Sequence, residues 1–246
     1  MSLTGVHVLN TRPAHQSAEL TAALRAAGAQ VSELPLIAIA PRELSPAQNR
    51  LLLDLDRYDA VFFVSANAAQ LGLDAIANLW PQWPHQLPAY AVGERTARVL
   101  RDAGLRVHVP AQADSEGLLA MSALQDVRGK KFLLFRGEGG RELLINTLRE
   151  RGAHLDVLEL YRRELPAAAT TQWQALAAKP AVVIMTSPDA MRHWQQIAGA
   201  DALLPLWLVV SPRMHMAAQT AGARALTAAG ADVASLLSAL DSAGAD

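Results

Sequence analysis

The sequence repeats itself once, over segments as long as a small domain. Residues 6–36 recur without a gap as residues 130–160, so that Arg12 aligns with Arg136. Two later segments, beginning at Asp59 and Ala91, recur 122 and 118 residues further along. A repeat of this length is far longer than the roughly 20–50 residues of a solenoid unit. The chain is therefore expected to contain two copies of one domain, an arrangement that often binds a ligand between its halves.

Composition restricts the kinds of partner and site. The formal charge is −1 and no run of basic residues occurs, so a nucleic-acid partner is not expected. The chain has no cysteine, which excludes disulfides, thiolate nucleophiles and cysteine-bound metals. Its seven histidines never stand at a metal-ligand spacing such as H-x-x-x-H, so no metal site is expected.

The N-terminal residues enter a strand-like run directly, without the basic and apolar segments of a secretory leader. The sequence also lacks a run of about 18 apolar residues, the length needed to cross a membrane. We therefore expect a cytoplasmic protein that does not bind membranes.

Short apolar runs alternate with amphipathic stretches of helical period. Some runs, such as VFFV at 61–64, are apolar on both faces, as in parallel sheets covered by helices on both sides. This order predicts an α/β fold of doubly wound parallel sheets with about five strands in each domain. The predicted strands are 6–11, 31–34, 60–64, 89–92, 106–109, 132–135, 155–158, 182–186, 206–210 and 224–227.

Two assignments of these strands to domains are possible. The simple one divides the chain near residue 125. However, residues 36–44 and 160–166 both continue past the end of a strand at equivalent points of the repeat, and each could cross between domains. If both cross, the first segment joins the C-terminal part and the middle of the chain forms the second domain. The number of strands is the same in both cases and does not distinguish them.

A glycine-rich turn is the most distinctive local motif. A buried strand ends at Arg136, a tight turn of Gly137, Gly139 and Gly140 follows, and a helix begins near Arg141. Glycines let backbone N–H groups approach a ligand closely, and a helix N-terminus favours an anion. The turn matches neither the dinucleotide fingerprint nor the phosphate-binding loop. An ordinary tight turn is the alternative interpretation.

The motifs around this turn resemble the uroporphyrinogen-III synthase family, the cyclases of tetrapyrrole synthesis. The resemblance is carried by RGEGGRE at 136–142, LRERGA at 148–153, LELYRR at 158–163, and by FFVSANAAQ, AVGERTARVLRDAG and IMTSPDAM in the family's order. It covers the whole chain and implies two flavodoxin-like doubly wound domains joined by a two-stranded linker. It favours the crossed arrangement, with domains at 1–36 plus 168–246 and at 43–160, and linkers at 37–42 and 161–167.

The resemblance also implies a reaction. The substrate would be hydroxymethylbilane, a linear tetrapyrrole with eight carboxylates, which loses water, inverts ring D through a spiro intermediate and closes to uroporphyrinogen III. Spontaneous closure gives the uninverted isomer, so the enzyme mainly has to hold a folded conformation. Positioning can contribute up to about 7–11 kcal/mol in favourable intramolecular cases. The resemblance implies no cofactor. We expect a monomer that can make a transient contact with the enzyme that makes hydroxymethylbilane.

Six strand-to-helix junctions could bind such a substrate, because they lie where ligands bind in a doubly wound sheet. Helix N-termini and arginines would contact carboxylates, with ordinary capping and solvated charge as the alternatives. Where Thr96 stands in one copy, Met214 stands in the other, which departs from the family's pattern. The candidate substrate-binding residues are Arg12, Ser65, Asn67, Gly93, Thr96, Arg136, Gly137, Gly139, Gly140, Arg141, Ser187, Pro188, Ser211 and Arg213.

Tyr161 is the candidate catalytic residue. It aligns with a tyrosine implicated in the family, and its phenol could protonate or hydrogen-bond the departing hydroxyl. A linker tyrosine that packs against the hinge is the structural alternative. Two other functions stay open. One is a hinged two-domain binding protein for a small polyanion, which the absence of a leader disfavours. The other is a nucleotide-sugar transferase, which the absence of a nucleotide fingerprint disfavours.

Overall fold

The computed structural model describes residues 3–140 and 142–243. In chain order its strands are β1 (His7–Asn10), β2 (Gln30–Glu33), β3 (Ala38–Pro41), β4 (Ala60–Phe63), β5 (Ala89–Ala91), β6 (Val107–His108), β7 (Lys131–Gly137), β8 (His154–Glu164), β9 (Val182–Ile184), β10 (Leu206–Val209) and β11 (Ala225–Thr227). Its α-helices are α1 (Ala14–Ala26), α2 (Pro46–Leu53), α3 (Ala66–Ala77), α4 (Glu94–Asp102), α5 (Ser115–Ala120), α6 (Leu143–Glu150), α7 (Ala169–Gln174), α8 (Pro188–Ala198), α9 (Pro212–Thr220) and α10 (Val233–Ala243).

The chain divides into two compact units. The first unit comprises Met1–Ala38 and Glu164–Asp246, and the second unit comprises Ile39–Arg163. The first unit contains a five-stranded sheet of order β11-β10-β9-β1-β2, whose neighbouring strands are all parallel. Strand β1 therefore lies beside β9, the pairing that the crossed arrangement predicts.

The second unit contains a six-stranded sheet of order β3-β8-β7-β4-β5-β6. When the two copies of the repeat are matched, β8-β7-β4-β5-β6 takes the same spatial order as β2-β1-β9-β10-β11. This is the flavodoxin-like order, which confirms two doubly wound α/β copies. The additional strand β3 lies beside β8, and the backbone N–H of Arg42 donates to the carbonyl of Leu160 at 2.9 Å. Most residues expected in the linker thus lie in β3 and in the last part of β8.

Helices cover both faces of each sheet because the central strands are apolar on both sides. In the second unit all four residues of β4 are buried, and successive side chains point to opposite faces. Phe63 stacks on Phe135 at 4.5 Å, whereas Phe62 stacks on Tyr90 at 5.1 Å within a separate buried cluster. In the part of the chain that the structure describes, no helix is long and apolar enough to cross a membrane.

In both sheets the strand order reverses at one point, between β1 and β9 in the first unit and between β7 and β4 in the second. Helices that follow the two strands at this switch point depart to opposite faces, and a crevice forms at the carboxyl edge between them. Arg12 and Ser187 follow the two strands in the first unit, and Ser65 follows β4 in the second. These positions are where a ligand is expected.

Candidate functional site

A pocket of about 210 Å³ opens at the switch point of the second unit. It brings together six of the residues predicted from sequence: Ser65, Arg136, Gly137, Gly139, Gly140 and Tyr161. The other lining residues are Val64, Val92, Ser115, Leu134, Leu144 and Arg163. All of them lie within the second unit, so the pocket is formed by a single sheet and its loops.

A shift in strand register directs Tyr161 into the wall of this pocket. Strands β7 and β8 pair residue by residue as far as Arg136 and Glu159, but the next pair joins Gly137 to Tyr161. Strand β8 therefore has one extra residue, Leu160, and both Leu160 and Tyr161 are buried. Bulges of this kind redirect side chains and often lie beside functional sites.

The phenol of Tyr161 is enclosed and hydrogen-bonded. The residue is only 1% exposed, its Oη lies 3.0 Å from Ser65 Oγ, and Arg163 Nη2 donates to the same Oη at 3.2 Å. A Cβ added at Gly137 would lie 2.5 Å from the Cζ of the ring. Position 137 therefore requires glycine because the backbone lies directly against the phenol.

The buried side chain of Arg136 donates hydrogen bonds to the glycine turn and so holds its shape. Its side chain is nearly buried, and Nη1 donates to Glu142 Oε1 at 2.8 Å. Nε donates to the carbonyl of Gly137 at 3.1 Å, and Nη2 donates to the carbonyl of Gly139. Because these partners lie within the chain, the guanidinium holds the turn in shape, and its contact with a ligand stays a prediction.

The turn itself depends on glycine at two further positions. Gly139 has φ +69° and Gly140 has φ +103°, in the left-handed region that side chains disfavour. From outside, Arg42 forms ion pairs with Glu138 and Glu159, each at 3.2 Å. The strand β3 segment is thereby connected to the turn. The predicted site residue Arg141 lies outside the described residues.

The remaining predicted residues of the second unit lie near the same sheet edge. Ser65 caps α3, accepting from the backbone N–H of Ala68 at 3.0 Å, and Asn67 is half-buried in the first turn of that helix. Gly93 is the N-cap of α4, and Thr96 is buried within it. Among the described residues, Asn67, Gly93 and Thr96 are not part of the pocket lining.

In the first unit the predicted residues occupy the equivalent edge. Ser187 caps α8, of which Pro188 is the first residue, and Ser211 caps α9. Arg12 follows β1 and is half-buried, whereas Arg213 is exposed in the first turn of α9. Met214 is buried in the core of this unit. Whether any of these residues binds substrate stays a prediction.

Two polar residues among the lining residues of the pocket, Ser115 and Arg163, were not predicted from the sequence. Ser115, in the first turn of α5, follows the capping residue Asp114. Arg163 lies in the LYRR segment, which was interpreted as linker, and its guanidinium carbon lies 5.4 Å from the centre of the Tyr161 ring. The signal that could have identified Arg163 is its spacing: it stands two residues after Tyr161, on the side of the strand to which Tyr161 points.

Burial and hydrogen bonds shift the pKa values of two side chains of the second unit, Tyr58 and Asp59. Burial, and then a hydrogen bond to Asp156, raise the pKa of Tyr58 above its usual range. Hydrogen bonds from the backbone of Lys131 and the side chain of Lys130 lower the pKa of Asp59. Within residues 3–140 and 142–243, no group of three or more His, Asp or Glu side chains is arranged to hold a metal ion.

Comparison with known proteins identifies the family. A family model described as Uroporphyrinogen-III synthase HemD matches residues 18–238. The uroporphyrinogen-III synthase of Escherichia coli (strain K12) is 31% identical over 233 residues, which is 87% of this chain and 91% of the relative. The enzyme of the same name from Proteus mirabilis is 40% identical over 159 residues, which is 63% of this chain and 79% of the relative.

Solved structures show the same fold. A mutant uroporphyrinogen III synthase from the extremely thermophilic bacterium Thermus thermophilus has a TM-score of 0.66 at 18% identity, covering 97% of this chain and 98% of that chain. The uroporphyrinogen-III synthetase of Helicobacter pylori 26695 has a TM-score of 0.64 at 17% identity, covering 97% and 99%. The family model and the sequence relatives span most of the chain, and the fold agrees with them. The chain therefore belongs to the uroporphyrinogen-III synthase family, enzymes of tetrapyrrole (heme) biosynthesis.

Proposed function

We propose that this protein converts hydroxymethylbilane to uroporphyrinogen III at the switch-point pocket of the second unit, with loss of water and inversion of ring D. The observation that carries the proposal is the convergence of six predicted residues, including Tyr161, in one pocket of a chain that belongs to this family. They come from separate strands and from the turn after β7. Packing of a single core does not require this arrangement.

The size of the pocket limits what it can hold. Its volume of about 210 Å³ is smaller than the roughly 300–1,000 Å³ of sites for drug-sized ligands. A tetrapyrrole is larger still, so the pocket would hold one end of the substrate. We place the hydroxymethyl end there, because the paired hydroxyls of Ser65 and Tyr161 lie at the pocket and can deliver a proton to the departing oxygen.

The substrate carboxylates would bind to N–H groups at the sheet edge and to cationic side chains. The glycine turn places its backbone close to the pocket, and the N-terminus of α3 carries the partial positive charge of a helix end. Arg163 also lines the pocket, where its guanidinium donates to Tyr161 Oη. The candidate residues of the first unit, Arg12, Ser187, Pro188, Ser211 and Arg213, would bind other carboxylates in the same way.

The reaction balances without a redox partner, because hydroxymethylbilane differs from uroporphyrinogen III by one water molecule. We therefore propose a cofactor-free enzyme. We also propose that the enzyme acts as a monomer. The substrate closes spontaneously in water, which favours direct transfer from the enzyme that makes it. The bacterial relatives are named uroporphyrinogen-III synthase, and we propose a cytoplasmic location for this protein.

The proposed function is tested by incubating the protein with hydroxymethylbilane, oxidising the products and separating isomers I and III. Without protein the spontaneous product is isomer I, and heat-denatured protein serves as the matched control. We expect a clear excess of isomer III. Isomer I alone would contradict the proposal, and binding of uroporphyrinogen III without any turnover would favour the hinged binding protein instead.

A further inference from the structure

We propose that the hydroxyl of Ser65 donates the proton to the departing oxygen, that Tyr161 supplies this proton from behind, and that Arg163 is the positioning residue that sets the direction of the relay. This inference rests on the proposed function. It differs from direct donation by the phenol of Tyr161. Three features support it: the hydrogen-bond partners of Ser65, those of Tyr161, and the greater exposure of Ser65 to the pocket.

The oxygen of Ser65 has two hydrogen-bond partners. It accepts from the backbone N–H of Ala68 at 3.0 Å, which fixes it as the N-cap of α3. Its second contact is Tyr161 Oη at 3.0 Å. A serine hydroxyl has two lone pairs and one proton. If it accepts from both partners, its own proton must point away from them, toward the pocket that Ser65 lines.

The direction of the Tyr161–Ser65 bond follows from Arg163. A guanidinium only donates, so Tyr161 Oη accepts from Arg163 Nη2 at 3.2 Å. If Ser65 also donated to Oη, the phenol proton would need another acceptor at a residue that is 1% exposed. A buried donor without an acceptor is strongly disfavoured. The arrangement that satisfies all groups therefore runs from Arg163 to Tyr161 to Ser65.

Access to the pocket favours Ser65 as the group that touches substrate. Ser65 is half-buried, whereas Tyr161 is almost completely enclosed. The backbone of Gly137 lies directly against the ring of Tyr161. A Cβ added at Gly137 would lie 2.5 Å from Cζ, 2.6 Å from Cε2 and 2.9 Å from Oη of that ring. The phenol therefore cannot lean out to meet a ligand without moving the turn.

The proton movements balance. The bond between the hydroxymethyl carbon and its oxygen breaks, and its electron pair goes to the oxygen, which takes the proton of Ser65 and leaves as water. The proton of Tyr161 moves to Ser65, and the phenolate that remains lies beside the guanidinium of Arg163. When the new carbon–carbon bond has formed, the proton released from the pyrrole carbon returns through Ser65 to Tyr161.

The first test compares Ser65→Ala, Tyr161→Phe and the double variant. Because both hydroxyls serve one proton transfer, each single variant should lower kcat by about 10²-fold, with KM unchanged, and the double variant should be no worse than either. Ser65→Thr keeps the hydroxyl and the helix cap and should restore most of the loss. Ser45→Ala is the matched control, since it removes an N-cap from α2 in the same unit without touching the pocket.

The second test concerns Arg163. Arg163→Met keeps an unbranched stem but removes the donor, and should lower kcat about tenfold with little change in KM. Arg163→Lys should recover part of the loss. Arg162→Met removes the neighbouring charge from the same strand and should leave kcat unchanged. If Arg163 only binds a substrate carboxylate, its replacement will raise KM instead, and this result would overturn its positioning role.

The possible outcomes distinguish a failure of the relay alone from a failure of the proposed function. If the wild-type protein forms no isomer III, the proposed function and the relay both fail. If the wild-type protein forms isomer III but Ser65→Ala keeps nearly full turnover while Tyr161→Phe does not, the phenol acts directly and only the relay fails. Losses that multiply in the double variant would overturn the relay in the same way, because they indicate independent roles.

Discussion

The close approach of the Gly137 backbone to the Tyr161 ring gives the sharpest test of how the candidate site is built. Replacing Gly137 by alanine places a methyl group 2.5 Å from Cζ, 2.6 Å from Cε2 and 2.9 Å from Oη of Tyr161. Ordinary carbon–carbon contacts lie at about 3.5–4.0 Å, so the ring or the turn must move by about 1 Å. Neither can move freely, since the ring belongs to a buried cluster and Arg136 holds the turn from inside.

The cost follows from this displacement. Overpacking a well-packed interior typically costs about 1–3 kcal/mol. A movement of about 1 Å also lengthens the 3.0 Å contact between Tyr161 and Ser65 beyond hydrogen-bonding distance, which removes about 0.5–1.5 kcal/mol. We therefore expect Gly137→Ala to lower the free energy of unfolding by about 2–4 kcal/mol. Its kcat should fall as far as that of Tyr161→Phe, because the same hydrogen bond is lost.

Urea unfolding and the initial rate of isomer III formation measure the two effects. Ile76→Val is the control, since it destabilises the same buried cluster by about 0.5–1.5 kcal/mol without lining the pocket. A Gly137→Ala variant with wild-type stability and turnover would refute the close contact and the site built upon it. Equal losses of turnover in both variants would show that activity follows stability, and that the Tyr161–Ser65 bond is not the cause.

Two further predictions concern charged groups around the turn and the sheet. Arg42→Gln should raise KM more than it lowers kcat, because it removes the ion pair that holds Glu138 on the glycine turn. Both ion pairs of Arg42 are partly exposed, so the free energy of unfolding should change by at most about 1 kcal/mol. A KM equal to that of the wild-type protein would contradict this role. Asp59→Asn should make the free energy of unfolding fall less steeply in acid. Folding lowers the pKa of Asp59, so its carboxylate stabilises the protein above the pKa of the unfolded state, and this stabilisation disappears as the pH falls through the pKa of the folded state. Unfolding curves from about pH 6 to 3 test this, and parallel pH profiles for variant and wild-type would contradict it.

Much of the fold could be predicted because the sequence states it twice. Each of the ten predicted strands corresponds to an observed strand. Strands that are aligned by the sequence repeat occupy equivalent positions in the two sheets. The missed strand, β3, is only partly buried, so its residues lack the continuous apolar pattern of the central strands. Its pairing with β8 depends on a chain segment far away in the sequence, which local patterns do not report.

The candidate site was predictable in position but not in its internal contacts. The carboxyl ends of β4 and β7 could be located because strand and helix patterns meet there, at Ser65 and at the glycine turn. The bulge at Leu160 could not, since the predicted strand ended at residue 158 and a shift of one residue in strand register leaves no local pattern in the sequence. The inward ion pair of Arg136 with Glu142 and the contact of Arg163 with Tyr161 also depend on side-chain directions that only the folded chain defines.

The two copies of the scaffold differ at the positions that make the relay possible. In the alignment of the repeat, Pro13 stands where the second unit has Gly137, and Ile37 stands where it has Tyr161. Ile37 packs against the core of the first unit. A tyrosine at position 37 would require its neighbouring turn to come close without a side chain, and proline at position 13 cannot provide that approach.

These differences are therefore coupled: the phenol in the second unit depends on the glycine beside it, and neither alone would produce the relay. The first unit uses its equivalent strand ends differently. Thr11 donates to the carbonyl of Ile184 at 2.6 Å, which closes β1 onto β9, whereas its counterpart Phe135 stacks on Phe63. Two features of the switch point are retained in both copies: the arginine at the end of the first strand, Arg12 or Arg136, and the serine cap, Ser187 or Ser65. In the proposed relay, the serine cap has a chemical role only in the second unit, where Gly137 leaves room for Tyr161.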